Sequence, residues 1–198
     1  MKCPEHSVSQ PLVLASASPR RLELLSLLGV PFEVIPSQAE ENDVSGSGRE
    51  RVRVLARRKG EEVFGRLPGR AVLAADTLVC VENEVLGKPA DEADAARMIR
   101  LLSGKSHWVY TGVCLLLPDG TVREEVCGTE VCFAELEEEE ILRYAASGEP
   151  LDKAGAYAVQ GRAGAFVRSI HGSPTNVIGL PLETVARMLR EAGWRLFD

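Results

Sequence analysis

The sequence predicts an α/β protein built as two lobes with a cleft between them, on three observations. Apolar runs of strand length alternate with segments of helical periodicity, beginning with LVL at 12–14 and LELLSLL at 22–28. A polar stretch rich in Gly and Ser, SQAEENDVSGSG (37–48), interrupts the first units as a loop. Residues 148–181 are dense in Gly and Pro, and with the 37–48 loop they suggest the cleft. The chain has 198 residues, 45% of them hydrophobic, enough for a substantial core. No repeat and no dividing linker is apparent, so 1–198 reads as one domain with a loose segment at 1–11.

Leu12, Val13 and Leu14 read as a buried strand, followed by Ser18-Pro19-Arg20-Arg21 at the start of a helix. Ser18 is a suitable N-cap, Pro19 fits the first helical position, and Gly29 can supply a left-handed stop. Leu22, Leu24, Leu25, Leu27 and Leu28 would cover one wide face. A second strand reads at 31–36 and a helix at 49–65, with Val52, Leu55, Ala56, Val63 and Phe64 at helical spacing. Ala71–Ala75 reads as a central strand ending at Asp76-Thr77, after which Leu78–Val81 resume the apolar run. Asp91 opens a helix whose inward face is Ala95, Met98, Ile99 and Leu102, with Gly104 as the stop. Strands then read at 107–116, 121–126 and 129–134, the first two joined by a turn at Pro118-Asp119-Gly120. A helix reads at 135–146, short strand pieces at 157–161 and 165–167, and a closing helix at 182–192.

Composition narrows the function. A net charge of −6 argues against a broad nucleic-acid surface, though it leaves room for a small basic pocket for one nucleotide. No apolar stretch reaches the roughly 20 residues that span a bilayer, and MKCPEHSVSQ lacks the apolar core of a secretory signal. The five cysteines are odd in number and lack paired metal-ligand spacing, which suggests a reducing cytoplasm.

Several residues resist a purely structural account. Two arginines in a first helical turn oppose the helix dipole by roughly 0.3–1 kcal/mol each. An anion bound there would reverse the sign, since backbone N–H groups and both guanidinium forks would point at it. Taken alone, Arg20 and Arg21 serve equally as surface residues. Asp76, set in an apolar run, needs a partner or a position facing a cleft; a turn or cap is the plainer alternative. Lys88 sits between Gly87 and Pro89 on an exposed loop, and Lys59 in its helix would face solvent by default. Glu40, Glu41 and Asp43 form either a solvated acidic loop or a source of metal ligands. In DKAGAYAVQGRAG (152–164) the polar Asp152, Lys153, Tyr157 and Gln160 punctuate small residues that would let a ligand approach the backbone; a tight-turned β segment is the alternative. Brought together, Arg20, Arg21, Lys59 and Lys88 would suit a polyphosphate, Glu41 and Asp76 a divalent metal and an activated water, and Ser18, Thr77 and Gln160 the reading of a base edge. Neither GxxxxGK[ST] nor GxGxxG is present, and neither His107 nor His171 takes a role.

The segments LASASPRR, AADTLV, LGKP, LSGKSHWVYTGV, EPLDKAGAYAVQG and NVIGLPL, in that order, resemble the Maf (septum-formation inhibitor) family of nucleoside triphosphate pyrophosphatases. The resemblance runs from Val13 to Leu189 and implies an elongated mixed β-sheet flanked by helices, of the inosine-triphosphatase kind. It implies hydrolysis of a nucleoside triphosphate to the monophosphate and pyrophosphate with a divalent metal, Mg²⁺ or in its place Mn²⁺. It makes Asp76 the proton acceptor and ties Arg20, Thr77 and Gln160 to substrate choice. Ser18, Arg21, Lys59 and Lys88 become phosphate contacts, and Glu41 a metal-holding or water-positioning acid. DKAGAYAVQG resembles the branch acting on dTTP and UTP; an amide at Gln160 both donates and accepts, as a thymine or uracil edge requires. The resemblance also implies a homodimer, while the composition speaks for a cytoplasmic protein with no polymer or membrane partner. A nucleotide-sensing regulator of septum formation and an enzyme for deaminated purines are the alternatives.

Overall fold

The computed structural model describes residues 10–41 and 44–197, so the expectation of a loose 1–11 segment lies almost wholly outside the described residues, as does Asp43. The strands are β1 (Leu12–Leu14), β2 (Phe32–Val34), β3 (Val72–Val81), β4 (Glu84–Leu86), β5 (Ser106–Leu116), β6 (Val122–Phe133) and β7 (Val167–His171). The helices are α1 (Pro19–Ser26), α2 (Gly48–Arg66), α3 (Glu92–Leu102), α4 (Glu138–Ala145), α5 (Pro174–Ile178) and α6 (Leu182–Glu191). One mixed sheet runs β2-β1-β3-β5-β6-β7, with β4 added to β3. β1 is parallel to β2 and β3; the other pairs are antiparallel. Among the described residues no helix is long and apolar enough to cross a membrane.

The alternation of β3 organises the layers. Leu73 and Ala75 face a core shared with α1 and α6 through Leu24, Leu25, Val185 and Leu189. Val79 and Val81, further along the same face, belong to a second core with α3 and α4 through Ile99, Leu102, Ile141 and Tyr144. Thr77 lies between them, beside Thr111 of β5, so a polar belt separates the two apolar lobes. The opposite face is covered along its length by α2, whose Val52, Leu55, Ala56 and Val63 are buried. Gly112 permits that close approach, since a Cβ there would sit 2.3 Å from the carbonyl oxygen of Val52.

Helices with a clear apolar face fall where expected: α2 with a Ser47–Glu50 capping box, α3 capped by Asp91, and α6. Gly29 takes a φ of 69°, the left-handed stop of α1. Several expectations are corrected. The α1 face is narrower than five leucines, because Leu22 and Leu27 are exposed. β3 does not end at Asp76-Thr77 but continues to Val81, since β5 pairs with it from Val72 to Cys80. The strands expected at 121–126 and 129–134 are one strand, β6: Gly128 stays in the ladder because the Tyr110 ring fills the place of its side chain. α4 starts at Glu138, after Glu137 has turned its N–H to Glu140. The piece expected at 157–161 is not a strand, and of 165–167 only Val167 is, as the first residue of β7. That region holds three short 3-10 helices, Glu149–Asp152, Ala154–Ala156 and Arg162–Phe166, with β7 and α5 after them.

Candidate active site

The groove originates in a gap at the sheet's edge. Along one edge β3 pairs continuously with β5; along the other it meets β1 at Val72 and Leu73 and β4 from Val79 onward. Residues 74–78 therefore have no strand on that edge among the described residues, and a cavity of about 570 Å³ opens there. Its lining comes from the β1–α1 connection, the loop before α2, α2, β3, the turn after β4, and the 152–160 segment.

Asp76 forms the floor. Its side chain is 8% exposed, and its Oδ1 accepts a hydrogen bond of 2.6 Å from Lys59 Nζ. The same ammonium lies 2.9 Å from Glu41 Oε1. Lys59, solvent-facing by default from its helix, is instead 13% exposed at its side chain and bridges two carboxylates. Removing either partner would strand a buried charge, so the pair is a fixed part of the site. The loop that carries Glu41 is pinned to α2 by Arg58, whose Nη1 donates to the Glu40 carbonyl at 2.9 Å.

Arg21 stands beside this floor, but most of its guanidinium is spent on the protein. Nε donates to the Gly179 carbonyl at 2.8 Å, Nη2 to Thr77 Oγ1 at 3.0 Å and Nη1 to Ser16 Oγ at 3.3 Å. Burial lowers its pKa from the ordinary arginine value, while the negative charge of Asp76 pulls it back up. Thr77 is tied into the same belt through Thr111, which also donates to the Asn176 carbonyl at 3.2 Å. Arg20 points the other way, to Asp152 at 3.5 Å, and so links the start of α1 to the far wall. Ser18 occupies the N-cap position, but its hydroxyl makes no capping bond; its N–H donates to Ser16 Oγ at 3.2 Å. The expected cap is thus absent.

The far wall is irregular backbone held by side chains. Glu149 Oε1 accepts from the Tyr144 hydroxyl at 3.0 Å and Glu149 Oε2 from the Arg162 N–H at 3.2 Å. The Ala158 N–H donates to the Tyr144 oxygen at 3.3 Å. Gly155, at φ 69°, packs where a Cβ would lie 2.7 Å from Val79, and Ala156 follows at φ 59°. These constraints bury Tyr157, whose hydroxyl lies 2.8 Å from His107 Nε2, and leave Gln160 exposed on the groove, its amide without a partner among the described residues. Burial pushes the His107 imidazole down to about 4 and the Tyr157 phenol above its ordinary value. Lys88 lines the groove from the turn after β4.

The structure thus brings Ser18, Arg20, Arg21, Glu41, Lys59, Asp76, Thr77, Lys88 and Gln160 to one groove. Glu41 and Asp76 suit a divalent metal: two hard oxygen donors already converge on one cation, the Lys59 ammonium. Among the described residues no third His, Cys, Asp or Glu completes a cage. That matches Mg²⁺, which is commonly held by one or two carboxylates and the substrate's phosphates. Sequence reasoning missed Ser16, the orienting roles of Thr111 and Asn176, and Arg51. The signal for Arg51 was its spacing, since 51, 55 and 59 lie on one face of α2.

The description "Maf-like protein" belongs to the family model that matches residues 11–192. A protein of Anaeromyxobacter dehalogenans (strain 2CP-C) named dTTP/UTP pyrophosphatase is 51% identical over 189 residues, covering 93% of this chain and 95% of its own. One of the same name from Symbiobacterium thermophilum is 50% identical, covering 95% and 97%. A third, from Thermococcus gammatolerans, is 50% identical, covering 94% and 99%. Among solved structures, the Staphylococcus aureus Ham1 protein superimposes with a TM-score of 0.53 at 14% identity, covering 92% of this chain and all of its own. A HAM1 protein from Coxiella burnetii gives 0.51 at 18%, covering 91% and 98%. The last two share the fold: an elongated mixed sheet flanked by helices, as expected.

Proposed function

The chain belongs to the Maf-like family, and from that membership and the groove we propose that it is a nucleoside triphosphate pyrophosphatase acting on dTTP and UTP. The observation that carries the reading is Asp76: a carboxylate on the floor of an open groove, held at 2.6 Å by Lys59 and flanked by Arg21. It is the group best placed to take a proton from water. In the proposed step Asp76 accepts that proton while the water oxygen bonds to the α-phosphorus. The bond from the α-phosphorus to the oxygen bridging to the β-phosphorus breaks, and its electron pair leaves with pyrophosphate. Lys59 and Arg21 face the charge that builds on the phosphates, fixed in place before the substrate arrives. Glu41 and Asp76 would hold the divalent metal, Mg²⁺ or Mn²⁺, whose charge would offset that of the phosphates.

Substrate choice is assigned to Gln160, with Arg20 and Thr77 lining the same groove. An amide with no partner among the described residues can donate to one exocyclic oxygen of thymine or uracil and accept from N3–H. A free nucleotide as partner, with no nucleic-acid polymer, agrees with the net charge of −6; a homodimer belongs to the same proposal by resemblance, and a cytoplasmic place with no membrane partner by cysteine usage and hydropathy. The test is pyrophosphate release from a panel of nucleoside triphosphates with Mg²⁺. Turnover of dTTP and UTP well above ATP, GTP and ITP is expected. Equal rates across the panel would remove the pyrimidine assignment, and no release from any of them would remove the activity.

A further inference from the structure

Six cationic side chains line the groove, and the protein itself engages four of them. Arg20 is paired with Asp152, Arg21 with three acceptors, Lys59 with Asp76 and Glu41, and Lys153 with Asp152 and the Glu149 carbonyl. The side chains of Lys88 and Arg51 make no hydrogen bond or ion pair among the described residues. The case of Arg51 is the sharper one, because its Nε is sealed from solvent and still lacks a partner. A guanidinium has five donors in a fixed fork, and leaving a desolvated one unmet is costly unless something outside the chain meets it.

Position identifies what that could be. Arg51, Leu55 and Lys59 form one stripe of α2, so the backbone of Arg51 lies about two turns, about 12 Å along the helix axis, before that of Lys59. Gly48 of the same helix turn rests on the Cys80 thiol, which places Arg51 toward the Val79–Cys80 end of β3. Lys88 reaches that end too, two residues beyond Leu86, the partner of Val79. The two uncommitted cations therefore line the groove toward one end of β3, Arg51 from α2 and Lys88 from the turn whose Gly87 carbonyl accepts from the Gly155 N–H. We propose that Arg51, together with Lys88, binds the terminal phosphates of the substrate, the part that departs as pyrophosphate. The fork of Arg51 matches two phosphate oxygens at once, which makes it a substrate-binding residue beyond those the family motifs mark.

This assignment rests on the pyrophosphatase reading but is tested apart from it. Binding of inorganic pyrophosphate and of dTMP is measured by calorimetry for the unaltered protein, Arg51→Gln and Arg51→Lys, beside KM and kcat for dTTP and a thermal melt. Arg51→Gln is expected to weaken pyrophosphate binding and raise KM about 10- to 100-fold, with dTMP binding and melting temperature unchanged. Arg51→Lys, which keeps the charge and loses the fork, should fall between. Unchanged pyrophosphate binding in Arg51→Gln, or an equal loss for dTMP, would overturn the assignment. Should Arg51→Gln melt early, the comparison is read on Arg51→Lys, whose pyrophosphate affinity must then drop while dTMP affinity holds. If the unaltered protein releases no pyrophosphate yet binds it through Arg51, the activity reading fails and this one stands.

Discussion

The two walls of the groove carry their chemistry by opposite means. On one side Asp76, Lys59 and Arg21 project from a strand and two helices, and each is locked by a neighbour that is itself part of regular structure. On the other, residues 149–162 are short 3-10 turns and irregular backbone, held in shape by Glu149, Tyr144 and His107, and the Gln160 amide has no partner among the described residues. The difference teaches a division of labour. Bond-breaking groups need positions fixed to a fraction of an ångström, which packed elements supply. A base reader needs an unengaged polar tip, which is easier to keep on a stapled turn than in a ladder that consumes every donor.

Substitutions on the two walls should then fail differently. The largest effect is expected at the floor: Asp76→Asn should cut kcat for pyrophosphate release by about 10²–10⁴-fold while nucleotide binding survives. Activity within a few-fold of the unaltered protein would move the reaction centre off this wall and favour a sensing role. Next is the staple behind the turn wall. His107 is buried neutral at about 4, below the 6.5 of the unfolded chain. As pH falls from about 6.5 to about 4 the unfolded chain binds a proton that the folded one refuses, and stability drops by about 3 kcal/mol; above 6.5 the contribution is constant. Urea melts across that range should show a steeper loss for the unaltered protein than for His107→Gln, and parallel curves would mean that the imidazole is hydrated after all. The smallest effect is expected at the tip. Gln160→Glu should lower dTTP and UTP turnover about tenfold with no change in melting temperature. An equal loss for purine nucleotides would make that side chain part of the scaffold, and the walls would no longer be distinct.

What could be read in advance follows the same divide. Helices α2, α3 and α6 repeat an apolar stripe over several turns, and the need of Asp76 for a partner can be read from its apolar surroundings, whereas the inward turn of Lys59 cannot, since a lysine in a helix faces solvent by default. The turn wall was illegible because glycine and proline mark where a chain can bend without saying which way: 157–161 alternates like a strand, yet the left-handed Gly155 and Ala156 aim it elsewhere. Gly128 misled in the reverse sense, as a strand glycine covered by an aromatic ring. Arg51 went unnoticed because a charged residue in a helix reads as solvated until its neighbours on the groove are known.

The interruption between β1 and β4 has a practical side. β3 is gripped at both ends and along its whole other edge, so the reaction floor is clamped independently of the turns around it. A library that randomises positions 158 and 160 while sparing Tyr144, Glu149, the core-packed Val159, and Gly161, whose added Cβ would lie 2.3 Å from the Glu149 carboxylate, should therefore yield mostly folded proteins, and selecting from it for other nucleobases becomes a search in recognition space alone.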